Sequence, residues 1–221
     1  LYATGGAPIT TRPAVMRNPD GNGLVVIIGT GQNVTDPVSN EPANQITGVY
    51  DRGAAIASAS DLQELTLIST SAGWSVSALE TTSDTEKQGW IIPLHDLAKE
   101  FKIVTQPVIE LGELTVLATK TEKRDCGPGY STSAIFKLNP VTGTSLNRKV
   151  FLDDELTPLD QDEDITDVLV VENTLLVDIT LGGASDRNVV IGNTADGRVI
   201  ELNTTQSPND QGRQRFQRIY D

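Results

Sequence analysis

The middle of the sequence reads Thr105-Gln106-Pro107-Val108-Ile109, a Leu111-Gly112 turn, Leu114-Thr115-Val116-Leu117-Ala118-Thr119 and, after a loop, Ala134-Ile135-Phe136-Lys137-Leu138-Asn139. Short runs of β-branched and aliphatic residues that are bounded by Gly, Pro and Asn are typical of strands joined by turns. The stretch therefore predicts a strand, a tight turn, a second strand, a loop and a third strand.

Two other segments repeat this order. One starts at Thr11 and continues through residues 24–30 and 46–51; the other starts at Thr166 and continues through residues 175–180 and 198–203. A short antiparallel meander of this kind is typical of the sheet in a β-propeller blade, although loosely similar strand pairs occur in any β protein. We expect blade-like units at about residues 9–53, 61–94, 105–143 and 166–203, followed by a closing strand at 212–220.

Helical periodicity is scarce elsewhere in the chain, which indicates an all-β fold class. Residues 94–101 are long enough for two helical turns, and residues 54–65 carry a weaker helical pattern. Three or four blades leave sheet edges that a closed ring would cover. We therefore expect residues 1–221 to be the C-terminal portion of a modified β-propeller with insertions between its strands, and the absence of an initiator Met agrees with a piece of a longer polypeptide.

Composition excludes several classes of function. The 221 residues include 30 acidic and 17 basic side chains, which gives a net charge of −13. This charge argues against a nucleic-acid partner, which requires a basic surface, and against docking on anionic lipid. One Cys and one His cannot form an internal disulfide, a thiolate zinc cluster or a multi-His metal site.

An acidic run between Asp153 and Asp167 is the densest cluster of charge in the sequence. Its residues Asp160, Asp162 and Asp164 have the spacing of positions 1, 3 and 5 in a calcium loop. These three carboxylates, with Asp154 as a further ligand, are candidates for a Ca²⁺ site. The sequence favours a solvated acidic loop over a tight site, because the loop lacks the expected Gly at its sixth position and the expected Glu at its twelfth.

A basic cluster near the C-terminus stands out in an otherwise acidic chain. Arg213, Arg215 and Arg218 alternate with Phe216 and Tyr220. These arginines are predicted either to bind a partner or to form the outer face of a closing strand, and the sequence favours neither.

Four single residues are candidates for special roles. Cys126 is either a free thiol or one half of a disulfide whose other half lies outside this chain, and it has no base near it in the sequence. His95 is interpreted as a surface or helix-start residue rather than a catalytic one. Trp74 and Trp90 are predicted to fill core or inter-blade space, with sugar stacking as the alternative.

Several stretches together resemble the PilC/PilY family of type IV pilus tip-associated adhesins and biogenesis factors. Their shared order along nearly the whole chain carries the resemblance. The matching stretches are residues 9–15, 26–31, 46–53, 89–94, 104–108, 125–129, 133–143 and 212–218.

The resemblance implies the C-terminal propeller of a large secreted protein with a further N-terminal domain. It also implies a non-enzymatic role in pilus assembly, in opposing retraction, in adhesion and in twitching motility, and so in virulence. The expected partners are minor pilins at the pilus tip and a host-cell or surface ligand, and the expected location is the outer surface of a bacterium. The family's own calcium loop corresponds to a position upstream of Leu1, so calcium control through that loop does not carry over. A secreted context favours the disulfide interpretation of Cys126.

A propeller enzyme of the quinoprotein or hydrolase type is the alternative function. The quinoprotein interpretation requires tryptophan-docking repeats, but Trp74 and Trp90 do not recur at blade spacing. The hydrolase interpretation requires a polar constellation beside His95, which the sequence does not supply. We therefore favour an interaction protein.

Overall fold

The computed structural model describes residues 4, 6–31, 44–53, 59–70, 73–77, 87–98, 101–122, 130–152, 166–183 and 188–205. These residues form an all-β structure, with 3-10 turns at Ala59–Asp61 and Leu94–Asp96 as their helical elements. The strands are β1 (Ala14–Arg17), β2 (Leu24–Gly29), β3 (Gln45–Asp51), β4 (Gln63–Glu64), β5 (Leu67–Ser69), β6 (Trp74–Val76), β7 (Gly89–Pro93), β8 (Val108–Glu110), β9 (Glu113–Glu122), β10 (Tyr130–Leu138), β11 (Val168–Val171), β12 (Leu176–Gly183), β13 (Asn188–Thr194) and β14 (Val199–Thr204).

The strands pair into three sheets. The first has the order β1-β2-β3-β7-β4, in which β1, β2, β3 and β7 form an antiparallel meander and β4 adds to β7 in parallel. The second has the order β5-β6-β11-β10-β9-β8 and contains the antiparallel meander β8-β9-β10-β11. The third is the meander β12-β13-β14. The predicted all-β class is confirmed.

The second sheet lies between the other two, because its side chains alternate between two hydrophobic cores. Ala118 and Ala134 face the first core, which also contains Ile27 and Trp90 from the first sheet. Leu117, one position along β9, faces a second core. That core also contains three residues of the third sheet and two of the segment before it, namely Leu176, Ile179, Val190, Val150 and Phe151. The period of two along each strand allows one sheet to serve both cores.

The strands lie close to where the sequence predicts them, but two units pair differently. Residues 61–94 do not form a sheet of their own: β4 and β7 belong to the first sheet, whereas β5 and β6 belong to the second. Residues 63–69 are divided between β4 of the first sheet and β5 of the second. In the unit starting at Thr166, β11 pairs with β10 rather than with β12, and β13 lies between β12 and β14. Strand order along the chain does not specify which strand becomes the neighbour.

Of the two helical turns for which residues 94–101 have room, the described residues form the 3-10 turn at Leu94–Asp96. Leu94 is fully buried, and Lys102 exchanges backbone hydrogen bonds of 2.8 Å with Thr119 of β9. Pairing with the sheet thus takes the chain into an extended conformation by residue 102. Asp196 and Gly197 lie in the hairpin turn between β13 and β14, where Gly197 has a φ of +84°. In the described ranges, no helix has the length and apolar character that a bilayer crossing requires.

Candidate functional site

Trp90 joins the first sheet to the turn that follows β10. Its side chain is fully buried, and its indole Nε1 donates to the Pro140 carbonyl oxygen at 3.3 Å. Two glycines contact the ring: a Cβ atom on Gly48 would lie 2.3 Å from it, and a Cβ on Gly143 would lie 2.4 Å from it. The prediction that Trp90 fills space between sheets is confirmed, and its burial excludes an exposed stacking platform.

The turn that receives Trp90 is built by Asn139. Its side-chain Oδ1 accepts the Val141 N–H at 2.9 Å, and its carbonyl accepts the Gly143 N–H at 2.8 Å. Gly143 has a φ of +71°, which disfavours a side chain at this position. Tyr50 of β3 donates its hydroxyl to the Val141 carbonyl oxygen at 2.8 Å. We call Trp90, Tyr50 and residues 139–143 the sheet joint.

The environment of Tyr50 makes its hydroxyl a persistent donor. Burial raises the pKa of the Tyr50 hydroxyl above its ordinary value, Arg52 acts in the opposite direction, and Asp20 raises the pKa further. The phenol therefore keeps its proton, and with it the bond to Val141, through the neutral range. The sheet joint consists of neutral hydrogen bonds and close packing, so its chemistry is that of a structural contact.

Three charged side chains form a second polar cluster, on the face of the second sheet that is turned towards the third. Lys137 Nζ lies 3.0 Å from Glu113 Oε2, and Arg148 Nη2 pairs with Glu113 Oε1. The side chains of Lys137 and Glu113 are 4% and 6% exposed, so this is an interior ion pair. Burial alone would raise the pKa of Glu113, but Lys137 and Arg148 outweigh it and hold the pKa below its usual value. Their two positive charges keep Glu113 ionised.

Asp167 is a buried carboxylate of a different kind. It is 0% exposed, and its Oδ2 accepts the Val76 N–H at 2.9 Å. Its Oδ1 has no hydrogen-bond partner among the described residues. Burial raises the pKa of Asp167 from 3.8 to about 6, while the Val76 N–H and the nearby Ser145 hydroxyl act to lower it. No opposite charge from the described residues offsets this burial, so the carboxyl group takes up a proton at a higher pH than an ordinary Asp does.

The remaining described candidates do not assemble into a reactive site. His95 is exposed on the turn at Leu94–Asp96, and Trp74 of β6 is half-buried against the first core. In the part of the chain that the structure describes, no three His, Cys, Asp or Glu side chains are grouped so that they could hold a metal ion. The described polar clusters therefore connect strands and sheets.

The residues predicted to bind calcium or a partner lie outside the described residues. These are Asp154, Asp160, Asp162 and Asp164 for calcium, and Arg213, Arg215 and Arg218 for a partner; Cys126 and the closing strand at 212–220 lie outside as well. Their roles stay predictions from sequence.

Sequence reasoning missed the buried charges at Glu113, Lys137 and Asp167. Lys137 carried a usable signal, because a lone charge within the apolar run 134–138 is unusual for a strand buried on both faces. Asp167 had no such signal, since it follows the acidic run and resembles one more member of it.

These features define a class of protein: packed antiparallel meanders that are joined by buried polar contacts. None of the protein family models matches the chain. In sequence, the chain is 27% identical over 176 residues to the type IV pilus biogenesis factor PilY1 of Pseudomonas aeruginosa (strain UCBPP-PA14), a match that covers 65% of this chain and 15% of PilY1. The chain thus spans a small fraction of the length of that relative.

The fold is similar to a crystal structure of the Pseudomonas aeruginosa PilY1 C-terminal domain. The TM-score is 0.64 at 19% sequence identity, and the superposition covers 90% of this chain and 45% of the solved chain. The predicted resemblance is confirmed: the chain is PilY1-like in sequence and similar to the PilY1 C-terminal domain in fold.

Proposed function

We propose that the chain is part of a non-enzymatic, type IV pilus-associated protein of the bacterial surface. The observation that carries this proposal is the sequence similarity to PilY1, which is named as a pilus biogenesis factor. We further propose that the whole protein promotes pilus assembly by opposing retraction, contributes to surface or host adhesion and twitching motility, and contacts minor pilins at the pilus tip.

We propose that the three sheets are blades in an arc of a β-propeller. The support is their strand order, because the first two sheets each contain a four-stranded antiparallel meander, as propeller blades do. The third sheet has three strands, and residues 150–152 lie along the free edge of β14, where Leu152 donates to Asn203 at 2.9 Å.

A non-catalytic role accords with the described polar groups. Lys137 and Arg148 both pair with Glu113, and Trp90 and Tyr50 bond to backbone carbonyls. Calcium binding by Asp154, Asp160, Asp162 and Asp164 and partner contacts through Arg213, Arg215 and Arg218 are further proposals, supported by their spacing in the sequence.

The test is an in-frame deletion of the gene that encodes this chain, with surface pili counted by electron microscopy. We expect few surface pili, and we expect them to return when the motor that retracts pili is also inactivated. Complementation with the full-length gene is the control. Normal piliation in the deletion strain would contradict the proposal. A loss of pili that inactivation of the motor does not reverse would refute the anti-retraction role alone.

A further inference from the structure

The β5–β6 hairpin forms one edge of the second sheet, although the strands before and after it in the chain, β4 and β7, belong to the first sheet. It lies in the chain between β3 and β7 of the first sheet, yet it adds to β11 of the second. Its strand pairing with that sheet is limited to Trp74 opposite Val168. The Asp167 N–H adds a backbone bond of 2.9 Å to the Trp74 carbonyl oxygen. The backbone attachment of the hairpin is therefore narrow.

The side chain of Asp167 supplies a further attachment. Its Oδ2 accepts the Val76 N–H at 2.9 Å, so Asp167 binds β6 through both backbone and side chain. The hydroxyls of Thr70 and Thr166 add a contact of 3.2 Å nearby. Leu67 and Val76 are buried in the first core and oppose release of the hairpin.

The charged groups around Asp167 do not neutralise it. The described residues of β5 and β6 carry no ionisable side chain. From β10, Lys137 donates its backbone N–H to the Asp167 carbonyl, but its ammonium group pairs with Glu113. In the segment after β10, Arg148 pairs with the same glutamate. The nearby Ser145 hydroxyl lowers the pKa of Asp167 but carries no charge. Among the described residues, none provides a counter-charge for this buried carboxylate.

A buried carboxylate oxygen without a hydrogen-bond partner raises the free energy of the closed state. Opening the hairpin would admit water to Asp167 and remove that cost, whereas a protonated carboxyl group has little to gain from water. Ionisation of Asp167 and opening of the hairpin must therefore favour each other.

We propose that the β5–β6 hairpin is a pH-dependent latch on the second sheet, which is held closed while Asp167 is protonated and opens more readily once Asp167 is ionised. Opening frees Val168, the β11 residue that pairs with β6, for pairing with another strand. This inference concerns the fold alone and does not depend on the proposed role in pili.

The sign and the pH range of the effect on opening follow from the raised pKa of Asp167. Its pKa is about 6 in the closed state and near 3.8 once water reaches the carboxyl group. The opening equilibrium constant should rise about tenfold per pH unit between about pH 4 and pH 6, and level off at higher pH, for a total of about a hundredfold.

Amide hydrogen exchange in the 221-residue chain tests the latch. Exchange of the Val76 and Asp167 amides is measured by NMR from pH 4 to pH 8 and corrected for intrinsic base catalysis, with Ile135 in the central strand β10 as an internal reference. We expect loss of protection at Val76 and Asp167 over this range, beyond any change at Ile135. Val76 protection that does not depend on pH would overturn the proposal.

Two variants separate the latch from a general effect of charge. In Asp167→Asn the amide oxygen can still accept the Val76 N–H, and we expect the pH dependence to disappear. Asp178→Asn removes a carboxylate from an exposed position on β12, and this variant should keep the pH dependence of Val76 protection. If Val76 protection still depends on pH in Asp167→Asn, the latch is refuted. If that variant does not fold, the carboxyl ¹³C titration of Asp167 in the wild type decides: its midpoint must match the pH at which Val76 exchange levels off, and a mismatch overturns the proposal.

Discussion

At the scale of single residues, glycine decides how closely the sheets approach Trp90. Gly48 lies opposite Trp90 in the pairing of β3 with β7, and Gly143 reaches the same ring from the turn after β10. A methyl group at either position would overlap the indole ring. The sequence contains these glycines in strand and turn contexts, but it does not reveal that one tryptophan requires both.

We predict that Gly48→Ala destabilises the protein by about 2 kcal/mol, because the new Cβ would lie 2.3 Å from the fully buried Trp90 ring. Urea unfolding followed by Trp fluorescence measures the change. The matched control is Gly182→Ala on β12, where the nearest atom to an added Cβ is 3.9 Å away; it should change stability by less than about 1 kcal/mol. Equal losses in the two variants would show that the Trp90 contact is not the cause.

At the scale of elements, Glu113 connects two strands and the segment that leads to the third sheet. It begins β9, pairs with Lys137 near the end of β10, and binds Arg148, two residues before the buried Val150. The cluster contains two positive charges and one negative charge. Its stability therefore depends on Glu113 more than on either cation.

We predict that Glu113→Gln costs about 3 kcal/mol of unfolding free energy, because it leaves the buried Lys137 and the partly buried Arg148 without a counter-charge. Lys137→Met should cost less, since Glu113 still pairs with Arg148. Chemical denaturation at pH 7 compares the two variants. The control is Arg198→Gln in an ion pair whose side chains are 72% and 56% exposed, where we expect no measurable loss of stability.

The pH dependence of this cluster has a definite sign. The pKa of Glu113 is lower in the folded chain than its ordinary value of 4.5. Its contribution is therefore present above about pH 4.5 and is lost as the pH falls through the folded value. The stability difference between wild type and Glu113→Gln should shrink on acidification. A loss in Lys137→Met as large as that in Glu113→Gln would contradict this account.

At the scale of the whole molecule, the second sheet holds the other two through different chemistry on its two sides. Towards the first sheet, the contact is the sheet joint around Trp90 and Tyr50. Towards the third sheet, Ser133 Oγ accepts the Leu176 N–H at 2.9 Å and donates to the Thr174 carbonyl at 2.8 Å, beside the second core. One sheet thus fixes the positions of both neighbours.

We predict that Tyr50→Phe weakens the contact between the first two sheets by about 1 kcal/mol, because the Val141 carbonyl loses its donor. Burial raises the folded pKa of Tyr50 above 10.0, so its contribution is complete below about pH 10 and declines at higher pH. Denaturation at pH 7 and above pH 10 measures both effects. A stability difference between wild type and Tyr50→Phe that stays constant above pH 10 would be inconsistent with this bond.

The sequence by itself determined the fold class and the approximate position of most strands, because alternation of apolar residues and turn chemistry act over a few neighbouring residues. The order of short motifs in the sequence also determined the PilC/PilY resemblance, and the sequence predicted that Trp90 fills core or inter-blade space. Only the tertiary structure decided that β5 and β6 join the second sheet, that β11 pairs with β10, and that Glu113, Lys137 and Asp167 are buried. These features arise from contacts between residues far apart in the chain, and a local pattern contains no information about the partner that it will meet.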